Sequence, residues 1–267
     1  MITPSVVVVV ACSAHYTDFF ENWLAWVSRL DTDEMGFVAI AEDVEAYGYL
    51  RRRFEVPGGY RRVVRAAAGG AAPPLKGALG FESAGFATLM SRRAAHLAAQ
   101  LAQLAEAWES SQDARLIFSD LDVLWIRDPR PWLERRTTYS SGRPCDAWAQ
   151  TQHRERGLLN PGFLALAPTP GAAALLREWE RRLRERPQRN LPVFNEAIRA
   201  LKGTVHVCAL APDLFLSAKR SFRRANWMPL ADRRAARMRM LASAVGNHAR
   251  STQVVAHANW IDGHDVR

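Results

Sequence analysis

Two carboxylates, Asp120 and Asp122, stand inside an otherwise apolar stretch that runs from Leu116 to Ile126. The four residues before Asp120 predict a buried strand. An ionised carboxylate is costly to desolvate unless a counter-charge or hydrogen bonds meet it, so a pair at a strand end faces a metal, a ligand or helix N-termini. Carboxylate oxygens favour Mg²⁺ or Mn²⁺, ions that bridge proteins to diphosphates. Asp-x-Asp is also a common turn sequence, so the tripeptide by itself leaves both interpretations open.

The elements that must position this pair alternate between apolar runs and amphipathic helices, which indicates an α/β protein with a mostly parallel central sheet. Such sheets bind ligands at the carboxyl ends of their strands. Asp18 is the expected cap of the first helix, and Thr169, followed by Pro170, is the expected cap of a later one. The pattern predicts strands at 6–12, 36–41, 116–119, 146–150, 162–167, 204–210 and 253–257. It predicts helices at 18–29, 86–108, 170–186 and 231–244 and a short one from 192, with a loop-rich candidate lid at 57–80.

Length and composition narrow the class of protein. A chain of 267 residues that is 48% hydrophobic suits one α/β domain over residues 1–267. No run approaches the roughly 18 apolar residues of a membrane span, and the run at 6–12 lacks the length and basic flank of a signal peptide. A net charge of +9 indicates an anionic partner. The arginine doublets are scattered rather than aligned on one stripe, so we expect no nucleic-acid partner.

The three cysteines, Cys12, Cys145 and Cys208, are widely spaced and form no Cys-x-x-Cys pair. This spacing predicts no zinc site and at most one disulfide. Cys12 and Cys208 lie in apolar, strand-like runs, where a cysteine is usually a small core residue.

The segment from Ser119 to Pro129, Ser-Asp-Leu-Asp-Val-Leu-Trp-Ile-Arg-Asp-Pro, resembles the signature of the nucleotide-diphospho-sugar transferase family. These are glycosyltransferases of the GT-A fold that include plant and algal arabinosyl-, xylosyl- and galactosyltransferases. The resemblance continues in the family's order through most of the chain. It covers Asn22-Trp23, Phe86, Arg93, Asn160-Pro-Gly-Phe163, Pro192-Val-Phe-Asn195, Asp213-Leu-Phe215 and His257-Ala-Asn-Trp-Ile-Asp-Gly263.

This resemblance implies a single GT-A-like, Rossmann-type domain with helices flanking the sheet. It implies a metal-dependent glycosyltransferase that moves a sugar from a nucleotide-diphosphate donor, a UDP-sugar, to a glycan or glycoprotein acceptor with retention of configuration. It also implies a location in the Golgi lumen, although no anchor or signal peptide is visible in the chain.

The resemblance also assigns roles to individual residues. Asp122 and His257 would be ligands of Mn²⁺ or Mg²⁺, and Asp120 would reach the metal or the donor ribose. Asp122 and Asn195 would also be catalytic. The other implied site residues are Arg93 and Arg267 for the donor diphosphate, Asn160 and Asn195 for the hydroxyls of the donor sugar, and Tyr16, with His15, for the base.

The chain departs from the family at Asn190-Leu191, where the family has Asp-Gln. Asn190, counted among the catalytic candidates, therefore replaces a carboxylate expected near the anomeric carbon. Two other interpretations stay open. Asp120 and its neighbours also resemble the nucleophile loop of haloacid-dehalogenase-type phosphatases, although that loop belongs on an early strand and needs a later acidic pair. The Asn-Leu departure fits a non-catalytic glycan- or nucleotide-binding descendant.

Overall fold

The computed structural model describes residues 4–56, 59–66, 84–107, 113–133, 142–152, 157–185, 190–217 and 253–257, with only the backbone of 84–87. The strands are β1 (Val6–Cys12), β2 (Met35–Ala41), β3 (Arg61–Arg65), β4 (Arg115–Ser119), β5 (Val123–Trp125), β6 (Ala147–Thr151), β7 (Leu159–Leu166), β8 (Val207–Leu210), β9 (Phe215–Ser217) and β10 (Val255–His257). The helices are α1 (Thr17–Val27), α2 (Val44–Arg53), α3 (Ala84–Ala107), α4 (Pro170–Glu185) and α5 (Asn190–Ala200), with 3₁₀ turns at Ala14–Tyr16 and Arg130–Trp132.

Seven of these strands form the central sheet, in the order β3-β2-β1-β4-β7-β6-β8. Every neighbouring pair is parallel except the two that involve β7, which runs antiparallel to β4 and β6. This arrangement confirms the predicted α/β class and mostly parallel sheet. A second sheet joins β5, β10 and β9. Since β5 begins four residues after β4 ends, the chain passes from one sheet to the other through the Asp-x-Asp segment.

Apolar side chains fill both faces of the central sheet. All seven residues of β1 and of β2 are buried, as expected for central strands covered on both sides. On one face, α1 contributes Phe20 and Trp23 to the core. On the other, α3 packs against α4, and Trp179 meets Phe194 with ring centroids 5.0 Å apart. The sheet is therefore a rigid base for the groups at its strand ends.

Most predicted elements are confirmed, and the exceptions are local. Thr169 caps α4 by accepting from the Ala172 N–H at 3.2 Å. The prediction for Asp18 is wrong: α1 follows directly from a 3₁₀ turn with Tyr16 as its N-cap, and the Asp18 carboxylate accepts from the Phe19 N–H, at 3.0 Å, inside the first turn. The predicted loop at 57–80 contains β3, and the rest of it lies largely outside the described residues. The helix predicted at 231–244 lies outside them entirely.

Two further expectations concern the pairing of the cysteines and the presence of a membrane-spanning helix. Cys145 and Cys208 form a disulfide with a Cα–Cα distance of 5.8 Å, which agrees with the expectation of at most one, and Cys208 is buried in the core, as expected. Cys12 is buried, as predicted, and is a free thiol. Among the described residues, no helix has the length and apolar character needed to cross a membrane.

Candidate active site

Asp120 and Asp122 lie in the turn that joins β4 to β5. The Asp120 N–H donates to the Gly162 carbonyl at 2.7 Å, and the Val123 N–H donates back to the Asp120 carbonyl at 3.2 Å. The Ser119 hydroxyl oxygen accepts from the indole N–H groups of Trp23 and Trp125, at 3.2 and 3.1 Å. These bonds hold the end of β4 in place, so both carboxylates leave the sheet at a defined position.

His257 completes a cluster with the two aspartates. It ends β10, which pairs antiparallel with β5 so that His257 lies opposite Val123. Its Nε2 lies 3.2 Å from Asp122 Oδ1 and 3.8 Å from Asp120 Oδ2. One ligand atom from each residue lies within 4.8 Å of the others. We call these three residues the Asp–Asp–His cluster; two oxygens and one nitrogen in this arrangement can hold a divalent cation.

The protonation of the Asp–Asp–His cluster is coupled. Burial and the neighbouring charge of Asp122 raise the pKa of Asp120 to about 6, against the opposing effect of His257 and Arg93. Burial also acts to raise the pKa of Asp122, but the charge and hydrogen bond of His257 outweigh it and lower that pKa. Burial opposes charge on His257, yet Asp122 raises its pKa. The cluster therefore stabilises positive charge between its carboxylates.

Arg93 approaches the cluster from α3. Its Nη1 lies 3.7 Å from Asp120 Oδ1, and its side chain is 16% exposed. Another edge of the planar guanidinium forms a bidentate pair with Glu42, in which Nη2 donates to Oε2 at 3.0 Å and Nε donates to Oε1. The Glu42 side chain is 1% exposed and follows β2 directly. Glu42 is not among the site residues predicted from the sequence, although a charged residue immediately after a buried strand is a signal of a site.

Gly162 brings the backbone of β7 against the cluster. The pairing of β6 with β7 shifts from Ala149 opposite Leu164 to Gln150 opposite Asn160, so residues 161–163 form a bulge. A Cβ on Gly162 would lie 2.1 Å from His257 Cε1 and 2.7 Å from Asp120 Oδ2. Only glycine fits at this position without displacing those side chains.

The Asn160 amide shapes the same bulge. Its Oδ1 accepts from the Gly162 N–H at 2.9 Å, and its Nδ2 donates to Gln152 Oε1 at 3.3 Å. Gln152 in turn accepts from the Ser217 hydroxyl at 3.1 Å. The structure therefore brings Asn160 next to the cluster, through Gly162. Its predicted role toward a sugar hydroxyl stays a prediction.

The two predicted asparagines of α5 make contacts elsewhere. The Asn195 Nδ2 donates to the Leu159 and Leu191 carbonyls at 2.7 and 2.8 Å, and its Oδ1 accepts from Leu159 N at 2.9 Å. This amide joins α5 to the start of β7. Asn190 Oδ1 accepts from the Trp179 indole at 3.0 Å. These bonds do not bring either asparagine to the Asp–Asp–His cluster, and their catalytic roles stay predictions.

Two predicted site residues remain, Tyr16 and Arg267. Tyr16 lies just after β1, at the same sheet edge as Glu42 and Asp120, and burial raises the pKa of its hydroxyl. Its role at the base stays a prediction. Arg267 lies outside the described residues, as does the part of the closing segment after His257.

A second group of metal-ligand types contains Cys145, His206 and Cys208. Its two sulfurs are joined in the disulfide. They are therefore not available as thiolate ligands, and the Asp–Asp–His cluster is the stronger candidate.

The chain is similar to known proteins both in sequence and in fold. The model of the nucleotide-diphospho-sugar transferase family matches residues 35–240. Across 98% of its length the chain is 26% identical to two Arabidopsis thaliana proteins, UDP-D-xylose:L-fucose alpha-1,3-D-xylosyltransferase 3 and UDP-D-xylose:L-fucose alpha-1,3-D-xylosyltransferase. It spans only 63% and 66% of their lengths. The apo form of the glycosyltransferase GlyE from Streptococcus pneumoniae TIGR4 matches with a TM-score of 0.56 and 11% identity, over 96% of this chain and 55% of that one. The likeness confirms the predicted fold.

Proposed function

The chain belongs to the nucleotide-diphospho-sugar transferase family, and we propose that it is a metal-dependent glycosyltransferase. The observation that carries the proposal is the Asp–Asp–His cluster, with Arg93 beside it, at the carboxyl end of the parallel strand β4. The donor would be a nucleotide-diphosphate sugar and the acceptor a glycan or glycoprotein. Because two relatives are named for UDP-D-xylose, this UDP-sugar is the first donor to test.

The residues present suit Mn²⁺ or Mg²⁺. Two carboxylate oxygens and an imidazole nitrogen are a ligand set for Mn²⁺, and Gly162 leaves the space beside Asp120 and His257 free of a side chain. Asp122 and His257 would hold the ion, with Asp120 bound to it or to the donor ribose. Such an ion, when bound, neutralises negative charge on the departing nucleoside diphosphate.

The protein's own residues add to that stabilisation. Arg93 is held by Glu42 and keeps one guanidinium nitrogen toward the cluster, where a fixed cation stabilises a diphosphate leaving group without reorganising. Arg267 would contribute a second cation, Asn160 a hydrogen bond to the donor sugar, and Tyr16 a contact with the base. These assignments rest on the resemblance and on the shared sheet edge.

We further propose that transfer retains configuration, in a route without a strong protein nucleophile. The support for retention is the family resemblance, and Asn190, an amide where the family has a carboxylate, is compatible with a route that uses no protein nucleophile. Asn195 would assist at the sugar. We also propose that residues 1–267 act as one domain and that the protein works in the Golgi lumen. The Cys145–Cys208 disulfide supports this location, because disulfides persist in oxidising compartments.

The haloacid-dehalogenase-like alternative is not favoured, because the matched family accounts for residues 35–240, including the Asp-x-Asp turn. A non-catalytic glycan or nucleotide binder, suggested by Asn190-Leu191, is the second candidate. The test is a panel of nucleotide sugars with purified protein, in Mn²⁺ and in excess chelator. We expect donor binding and slow transfer or donor hydrolysis in Mn²⁺ only. Equal binding in chelator would refute the metal role, and Mn²⁺-dependent binding without turnover of any donor would favour the binder.

A further inference from the structure

Gln150 joins the two sheets directly behind the Asp–Asp–His cluster. It lies in β6 of the central sheet, and its side chain reaches His257 in β10 and Leu216 in β9. Gln150 is 0% exposed, and His257 is 3% exposed. A buried amide costs free energy unless its hydrogen bonds are made, so both ends of this side chain need partners. The two partners determine how the amide is oriented.

The Leu216 carbonyl sets that orientation. A carbonyl oxygen only accepts, so the NH₂ end of Gln150, 3.4 Å away, must face it. The opposite end, Oε1, then faces His257 Nδ1 at 3.0 Å. Since Oε1 only accepts, Nδ1 must carry the hydrogen. When His257 is neutral, its lone pair is therefore on Nε2. The Leu216 carbonyl in β9 fixes this tautomer, because it sets the orientation of the Gln150 amide.

From this geometry we propose that Gln150 is a positioning residue that presents the Nε2 lone pair of His257 to a cation; the proposal rests on the metal-dependent function above. The Nε2 atom is the one that lies 3.2 Å from Asp122 Oδ1, on the cluster side of the ring. Metal-binding histidines need the second ring nitrogen fixed in this way, because that bond sets both the tautomer and the ring orientation. Without Gln150, the ring loses its acceptor in a buried position.

An amide also suits the charge of this site. The cluster already contains two carboxylates, and Glu42 lies behind Arg93. A glutamine accepts the Nδ1 hydrogen without adding another buried negative charge. Gln150→Glu keeps an acceptor at the same place, whereas Gln150→Leu keeps the approximate volume and removes it. This pair of variants separates the hydrogen bond from the packing of the side chain.

The test combines a metal-free and a metal-bound measurement on the full chain. In metal-free, ¹⁵N-labelled protein, at a pH where both ring nitrogens carry hydrogen, we expect a slowly exchanging Nδ1–H signal from His257. Gln150→Leu should lose this signal and bind Mn²⁺ about 10–100-fold more weakly by calorimetry. Gln150→Glu should keep the signal and lose less Mn²⁺ affinity than Gln150→Leu, because it keeps the acceptor for Nδ1 and loses only the donor that faces the Leu216 carbonyl. Gln152→Leu is the matched control. Gln152 is also buried and lies two residues further along the chain, but it is hydrogen-bonded to Asn160 and Ser217 instead of His257. Gln152→Leu should therefore leave the Nδ1–H signal of His257 unchanged.

The outcomes distinguish the two proposals. If wild-type protein binds Mn²⁺ and folded Gln150→Leu binds it equally well, Gln150 does not position His257 and the inference is overturned. Loss of the Nδ1–H signal in Gln152→Leu as well would overturn it too, because the effect would be general disruption. If wild-type protein binds no Mn²⁺ while the Nδ1–H signal depends on Gln150, the proposed metal function fails, and the metal-positioning role fails with it.

Discussion

Gly162→Ala tests whether the backbone of β7 and the ring of His257 are in contact as the structure describes. The added Cβ would lie 2.1 Å from His257 Cε1, against an optimal carbon–carbon separation of about 3.5 Å. The ring or the strand must therefore move by more than about 1 Å. Overpacking of this kind costs about 1–3 kcal/mol of folding free energy. We expect Gly162→Ala to lower the free energy of unfolding within that range.

A double-mutant cycle with His257→Ala identifies the cause of this loss. Removing the ring removes the contacts at 2.1 Å with Cε1 and at 2.8 Å with Nδ1. Of the three nearest atoms it leaves Asp120 Oδ2, at 2.7 Å, the end of a side chain that is 32% exposed and able to shift. Gly162→Ala should therefore cost about 1–2 kcal/mol less in the His257→Ala background. Urea denaturation followed by circular dichroism measures all four proteins. Additivity within about 0.5 kcal/mol would refute the contact.

The same variant should weaken the site more than the fold. A displacement of about 1 Å at a catalytic group can cost about 100-fold in rate, or roughly 2.7 kcal/mol. We expect a loss of that order in kcat/KM with the best donor, together with weaker Mn²⁺ binding. Gly48→Ala is the matched control: its Cβ would lie 3.5 Å from Arg52 Nη1, an ordinary contact, within helix α2. It should leave Mn²⁺ affinity unchanged, and an equal loss there would show that Gly162 has no special position.

Three further predictions concern other parts of the molecule. Asp122→Asn should remove Mn²⁺-dependent binding of a nucleoside diphosphate and lower turnover by orders of magnitude, while the circular dichroism spectrum and melting temperature stay close to wild type; binding unaffected by the change would exclude Asp122 as a ligand. The double substitution Asn190→Asp with Leu191→Gln should raise the rate of sugar transfer or donor hydrolysis about 10–100-fold, because a charge-assisted hydrogen bond contributes roughly 1.5–3 kcal/mol. If neither the rate nor donor binding increases, the Asn190-Leu191 segment lies away from the donor. The hydrogen bond from Arg181 is the main cause that lowers the pKa of Glu178 to about 2. The ionised Glu178 carboxylate therefore stabilises the fold fully above its unfolded-state pKa, near 4.5, and this stabilisation is lost as the pH falls from 4.5 toward 2. Glu178→Gln should therefore flatten the acid limb of the stability curve by about 1 kcal/mol, and an unchanged limb would contradict this.

The sequence predicted those features that depend on local pattern. Continuous β-branched runs such as 6–12 predict buried strands, because a strand covered on both faces has no polar alternation. The position of Asp120 and Asp122 after such a run predicted a site at a strand end, and the structure confirms where they lie. The Thr169-Pro170 start of α4 was predictable for the same reason, since a helix cap is made by residues within one turn. Asp18 shows the limit of that reasoning, because the preceding 3₁₀ turn moved the start of the helix.

The tertiary structure decided every feature that depends on residues distant in the chain. The bidentate pair of Glu42 and Arg93 spans 51 positions, and the bond from His257 to Gln150 spans 107. No local pattern encodes such distances, because they follow from the order of strands in the sheet and from the bulge at residues 161–163. Pairing of β10 with β5 brings His257 to the aspartates, and the close approach of Gly162 appears only once β7 is in place. The local pattern of the sequence thus determined which residues have suitable chemistry, and the family resemblance alone anticipated that Asp122 and His257 meet. Packing of the two sheets determined the contacts of Glu42, Gln150 and Gly162, because these depend on the order of the strands and on the bulge.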